Sequence, residues 1–224
     1  MQEANNNALT GGNKMEQTIK ELKYALFLGR HPFKGFWEIK HEKEGSLRTA
    51  IILLSLATVT KILSVLFTGF LFGAYSTITY NFLDTILSFL VIYFAWCTSN
   101  WCLTCLSDGE GSFKDICIAT AYALVPYIMI QLLLIILSNF FVLREAAFYD
   151  MLNNLSLVWT GFLLVIGMLV THQYSLTRTI VVCIFTVVGM LAMAYLAILF
   201  FNLIQQVLGF VTIFIEELVL HFNH

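Results

Sequence analysis

The residues with chemistry to offer lie in three short polar segments. His31, Pro32 and Phe33 open HPFKGFWEIK. Asp108, Gly109, Glu110, Gly111, Ser112, Phe113 and Asp115 fall in DGEGSFKD, and His172, Gln173 and Tyr174 fall in THQYSLTR. Imidazoles and carboxylates can ligate a metal or move a proton. The spacing argues against both. There is no HExxH or comparable ligand pattern, and Cys102-x-x-Cys105 has no matching second pair, so neither a metal nor a cofactor is expected. There is also no GxSxG, no P-loop and no Ser/His/Asp set at motif spacing, so no catalytic residue and no enzyme is expected. The acidic, glycine-rich turn remains. As pure structure, Gly109 and Gly111 would supply unusual backbone angles to a tight turn. As function, the turn and its two companion segments would be a recognition surface for a partner.

The turn runs straight into a helix. Ser112, with Asp115 three residues on, reads as a capping box that starts a helix near Phe113. Pro126 falls about 13 residues further along, where it removes a backbone donor and clashes with the carbonyl of Tyr122. A helix broken inside a membrane needs neighbours to satisfy the freed group, so this one should be packed.

Composition places that helix in a bilayer. The 224 residues are 59% hydrophobic and only 12% charged, against about 25% charged in soluble domains. Five apolar spans are predicted, at 47–72, 83–106, 116–141, 155–174 and 180–203, each near the roughly 20 residues that cross a bilayer. The fold class is an all-α membrane bundle: a polar N-terminal segment over 1–46, a five-span domain over 47–204 and a C-terminal stretch over 205–224. Residues 1–14 are Asn- and Gly-rich and expected to be disordered, and 15–29 read as a short amphipathic helix. The aromatics Phe33, Phe36 and Trp37 among Lys34, Lys40 and Lys43 suit a membrane interface. Gln205, Gly209, Thr212 and Glu216 share one face, with Gln206 and Glu217 beside it, which predicts an amphipathic helix lying in the interface, with a sixth span as the alternative. The first 20 residues have no apolar signal-peptide core, so the first span should drive insertion.

Charge orients the bundle. Lys14, Lys20, Lys23, Arg30, Lys34, Lys40, Lys43 and Arg48 precede or open the first span, and Lys114 and Arg178 fall on the same side. The other side receives only Arg144. Ten against one predicts a cytoplasmic N-terminus. All three polar segments then collect at the cytoplasmic face. Net charge is −2, so nucleic acid is not an expected partner; the expected partners are the lipid bilayer and membrane proteins, including a second copy of the chain. Within the spans, Lys61 could line a polar path with Asp84 or Asn100, or snorkel outward. Gly69 and Gly73 form a GxxxG that permits close helix contact. Trp101 and Trp159 are expected near opposite interfaces.

The stretch DGEGSFKDICIATAYALVP resembles the Yip1 family of polytopic membrane proteins, in particular its bacterial branch. HPFKGFWEIKHEKEGSL, TGFLFG, SNWCLTCLSDGEGSFKDI, AYALVPY, LREAAFY, THQYSLTRT and QQVLGFVTIFIEEL look like that branch in order, over about residues 24–220. The resemblance implies five spans, a cytoplasmic N-terminus and no catalytic residues. Eukaryotic relatives resemble secretory-pathway adaptors that associate with Rab GTPases, but this chain's short N-terminal segment gives no ground for carrying that role over. Bacterial relatives are often encoded near carbohydrate ABC transporters, which implies a transporter component as a partner in the cell membrane.

Overall fold

The computed structural model describes Thr18 and residues 20–42, 45–69, 81–107 and 109–222. Asp108, Gly73 and the Asn-rich stretch over 1–14 lie outside the described residues. Among those described, every regular element is helical. Helix α1 covers 20–30 and α2 covers Pro32–His41. They are followed by α3 (Leu47–Phe67), α4 (Phe82–Leu106), α5 (Phe113–Ala123), α6 (Val125–Ser138), α7 (Ala146–His172) and α8 (Leu176–Phe222). Five helical stretches are long and apolar enough to cross a membrane: α3, α4, α5 with α6, α7, and Leu176–Glu217 of α8.

The sequence features that should start and break the third span do so. Ser112 Oγ accepts from the Asp115 backbone N–H at 3.3 Å, and Asp115 Oδ2 accepts from the Ser112 backbone N–H at 3.1 Å, completing the capping box. Helix α5 ends at Ala123. Leu124 turns the chain, its N–H donating to the Ala121 carbonyl at 3.2 Å, and α6 begins at Val125. Pro126 thus sits in the first turn of a new helix, where its missing N–H would have had no intrahelical partner. The break is enclosed by protein. Every residue of α5 from Ile116 to Ala123 is buried, and so are Val125, Pro126 and Tyr127. Helices α3, α4 and α7 pack around this span, and α4 in turn carries α8.

Polar side chains tie the helices together where lipid offers no partner. Gln131 of α6 donates to Asn153 Oδ1 at 2.7 Å and Ser156 Oγ at 3.2 Å on α7. Gly69 donates its N–H to Ser138 Oγ at 3.0 Å. A Cβ at Gly69 would lie 2.5 Å from the Ser138 carbonyl oxygen, so the first glycine of the GxxxG does permit a close approach, here between α3 and α6.

Four expectations need revision. The segment over 205–222 is not a separate helix: α8 runs for 47 residues without a break. At about 1.5 Å per residue that is roughly 70 Å, more than twice the hydrocarbon core. Its first part packs through Thr179, Val182, Cys183 and Thr186, and no described residue from 187 onward is buried. Second, the aromatic segment at 31–45 is only partly interfacial. Phe33 and Trp37 are half exposed, but Phe36 is 2% exposed and packs on Gly167, where a Cβ would lie 3.1 Å from its ring. Third, α7 begins at Ala146, so Trp159 lies mid-helix and not near an end. Fourth, the first span's helix α3 ends at Phe67 and not at 72, which leaves Lys61 only six residues from its C-terminal end, within the reach of a headgroup layer that the snorkelling alternative requires.

Phe36 is what fastens the α1–α2 hairpin to α7. Phe36→Ala is expected to lower stability by about 3 kcal/mol and to release the hairpin to protease before the bundle, as read by limited proteolysis and thermal unfolding in detergent. The exposed neighbour Phe33→Ala should leave both readouts within about 0.5 kcal/mol of wild type.

Candidate functional site

The three polar segments meet at one end of the bundle, and a buried histidine joins two of them. His172 ends α7 and is 2% exposed. The Gly111 N–H donates to its Nδ1 at 3.2 Å, so Nδ1 carries the lone pair and the ring proton sits on Nε2. Nε2 donates to Asn100 Oδ1 at 3.0 Å. Asn100 Nδ2 donates to Thr186 Oγ1 at 3.1 Å, and Thr186 Oγ1 donates to the Val182 carbonyl at 2.8 Å. The chain therefore runs from the loop before α5, through α7 and α4, into α8. Asn100 and Thr186 are fully buried. Beside it, Ser99 Oγ donates to the Thr186 carbonyl at 2.7 Å, and Gly189 leaves room for Ser99 where α4 and α8 touch.

Tyr174 closes the outer side of this chain. Gln173 caps α7 in the left-handed conformation, with φ 55° and ψ 35°, and its N–H reaches the Leu169 carbonyl. That turn swings Tyr174 back so that its ring stacks on His172, 5.3 Å between centroids. The Tyr174 hydroxyl lies 2.8 Å from Ser107 Oγ and 3.1 Å from the Ser107 carbonyl, which also accepts from Arg178. The Arg178 guanidinium also lies over the Tyr174 ring, 4.7 Å from its centroid. The first segment joins through Lys40. Its ammonium donates to the Thr171 carbonyl at 3.0 Å and the Glu110 carbonyl at 3.5 Å, and lies 3.9 Å from Asp115 Oδ2. A cation at the carbonyl end of α7 and a carboxylate in the first turn of α5 both suit the helix dipoles.

The glycines of the turn do a different job from the one expected. No described glycine has a positive φ, so unusual backbone angles are not what the turn needs. It needs the absence of a side chain. A Cβ at Gly111 would sit 2.5 Å from the His172 ring, and one at Gly109 would collide with the Tyr174 hydroxyl and approach His172 Nδ1 to 3.1 Å. The backbone must lie flat on two rings, and only glycine allows it.

The family model described as Yip1 domain matches residues 26–198, well over half of the chain. The chain belongs to the Yip1 family. None of the curated proteins and none of the solved structures matches it. Together with five helices of membrane-crossing length, membership makes it a multi-pass membrane protein.

Within the Yip1 domain the predicted site residues fall into two groups. Gly109, Gly111, His172 and Tyr174 pack inward, and Ser112 and Asp115 cap α5 at the surface; together they hold the fold. His31, Phe33, Glu110, Phe113 and Gln173 are exposed, and Pro32 opens α2 at its first turn. Both ring nitrogens of His172 are engaged, so this imidazole offers no open position to a substrate. Among the described residues no three His, Cys, Asp or Glu side chains come together at one point. The polar path is not assembled either. Asp84 is exposed in the first turn of α4, and Asn100 is engaged near the opposite end of that helix. Lys61, on α3, makes no ion pair among the described residues. Sequence reading missed Ser107, Arg178 and Thr186 as members of the site. Arg178 had been visible as a charge within one of the three segments, but Ser107 and Thr186 carried no signal.

Substitution at the turn separates the two groups. Gly111→Ala should push the imidazole off its donor and cost about 2 kcal/mol or more, whereas Glu110→Ala, one residue away and exposed, should change stability by less than about 0.5 kcal/mol. In a double-mutant cycle, Asn100→Ala and His172→Ala are expected to couple by about 1 kcal/mol or more, read from thermal or denaturant unfolding of the purified protein.

Proposed function

We propose that this Yip1-family chain is a non-enzymatic adaptor of the bacterial cell membrane, with its N-terminus in the cytoplasm, that engages another membrane protein through the end of the bundle where the three segments meet. The observation that carries the reading is the division of labour just described. Among the described residues the inward groups are met by protein partners, and His172, engaged at both ring nitrogens, is held as a structural group rather than a base or ligand. The outward groups, Glu110, Phe113 and Gln173, sit on a turn that the buried chain holds in place. A fixed surface carrying an acid, an aromatic and an amide suits recognition better than reaction. The excess of Lys and Arg in the N-terminal segment, with Lys114 and Arg178, supports a cytoplasmic placement of this end.

Gln173 adds weight. A non-glycine residue in the left-handed region costs about 1 kcal/mol, and glycine is the usual occupant of such a cap. The glutamine side chain is exposed, so its presence there is better explained by what it meets outside than by what it holds inside. The resemblance to bacterial relatives encoded near carbohydrate ABC transporters makes a transporter component the first partner to test, with a second copy of the chain next.

Photo-cross-linkers placed at Glu110 and Gln173 in native membranes should each give one discrete protein adduct, and one at the exposed Phe148, near the opposite end of the bundle, should not. Gln173→Gly should keep or raise thermal stability while weakening co-purification of that partner several-fold. Lipid adducts alone at both positions would remove the reading.

A further inference from the structure

A second feature lies on the side of the bundle, beginning near the level of the α3 N-cap and running inward. A pocket of about 360 Å³ opens between α1, α3 and α6. Leu26 of α1, Leu53 and Leu56 of α3, and Val125, Met129 and Leu132 of α6 line it, with Lys23 among them. Its volume falls in the range of small-molecule sites, about 300–1,000 Å³. The α6 wall consists of the first two turns after the Pro126 break. Leu26, Leu56, Met129 and Leu132 remain substantially exposed, so the pocket is open to whatever surrounds the spans.

Its contents are graded along the bundle. The α1 helix starts level with the beginning of α3: buried Glu21 accepts from Ser46 Oγ at 2.5 Å and from Thr49 Oγ1, at the α3 N-cap. Lys23 follows two residues later and is exposed, with no ion pair among the described residues. Leu26 comes next, against Leu53 and Leu56, which lie about 9 and 14 Å along α3 from Leu47. A cation near the helix end with an apolar slot running inward from it matches one molecule in the surroundings of a multi-pass protein. We propose that this pocket holds one acyl chain of an anionic phospholipid, with Lys23 at its headgroup phosphate.

The apolar lining cannot select the lipid, because hydrocarbon gains little by exchanging bilayer for leucine. Selection falls to Lys23. One lysine at an anionic surface supplies roughly a five-fold preference. The test is native mass spectrometry of the full chain released from vesicles of equal phosphatidylglycerol and phosphatidylcholine. One retained phospholipid per chain is expected, enriched about five-fold in phosphatidylglycerol. Lys23→Ala should bring the ratio to about one, while Lys34→Ala, whose lysine pairs with Glu38 at 3.6 Å, should not. Met129→Trp and, independently, Leu56→Trp should fill the slot and abolish retention while leaving helicity intact by circular dichroism. Equal retention of both lipids by the unmodified chain, or retention by both folded tryptophan variants, would overturn the proposal. So would Leu26→Cys if, with Cys102 and Cys105 replaced by Ser, it forms disulfide-linked dimers in the vesicles, because a second copy would then occupy the slot.

Discussion

A histidine buried at the end of a membrane helix must find partners for two ring nitrogens without help from water. His172 finds them in opposite directions, a backbone N–H of the loop above and an asparagine of the helix beside it. Most of the architecture at that end follows from this. The loop must lie within hydrogen-bond distance of the ring, so it cannot carry a Cβ at Gly111. Asn100 must turn its oxygen to His172, so its amide is left to Thr186, and that bond locates α8 against α4. Each group in the chain has one role fixed by the next, and removing any member strands a buried donor or acceptor at about 1–3 kcal/mol.

The α1–α2 hairpin is the second consequence of working without water. Its buried carboxylate, Glu21, is satisfied by hydroxyls at the α3 N-cap, and the Lys40 ammonium by carbonyls of α7 and the α4–α5 loop. Tyr24 bridges the hairpin, donating to the Gly35 carbonyl at 3.0 Å and to Glu38 at 2.6 Å. The hairpin is therefore a clamp across the bundle end, held by an aromatic against glycine on α7 and by charge on either side. A segment read from composition as suited to the membrane interface also sends Phe36 into the core, because composition does not report whether lipid or protein meets an apolar side chain.

The same distinction explains how much of the site was legible. Local chemistry was readable: the Ser112–Asp115 capping box and the Pro126 break depend on residues three or four positions apart, and both stand where expected. That the polar segments share one end was also readable, because connection lengths and span number dictate it. What they do there was not. Asn100 and His172 are 72 positions apart, Lys40 and Thr171 131 apart, and no local pattern marks such pairs. The glycines of DGEG were noticed for a real reason but given the wrong one, since turn-forming φ and a missing Cβ look identical in a sequence. The extent of α8 escaped for the opposite reason. Gln205 and Glu216 suggested a change of environment, yet neither breaks a helix, and the backbone continues through both.

Seen this way, the inward and outward residues of the bundle end answer to different constraints. Gly109, Gly111, His172 and Tyr174 are fixed by one another, so changing them would alter recognition only by moving the surface. Glu110, Phe113 and Gln173 are exposed, and their side chains take no part in the buried chain. Gln173 links the two sets. Its left-handed backbone is what folds Tyr174 onto His172, and its side chain projects from that same turn. A partner gripping that side chain would bear directly on the residue that aims the ring, so binding at the surface would reach the buried histidine through a single backbone turn.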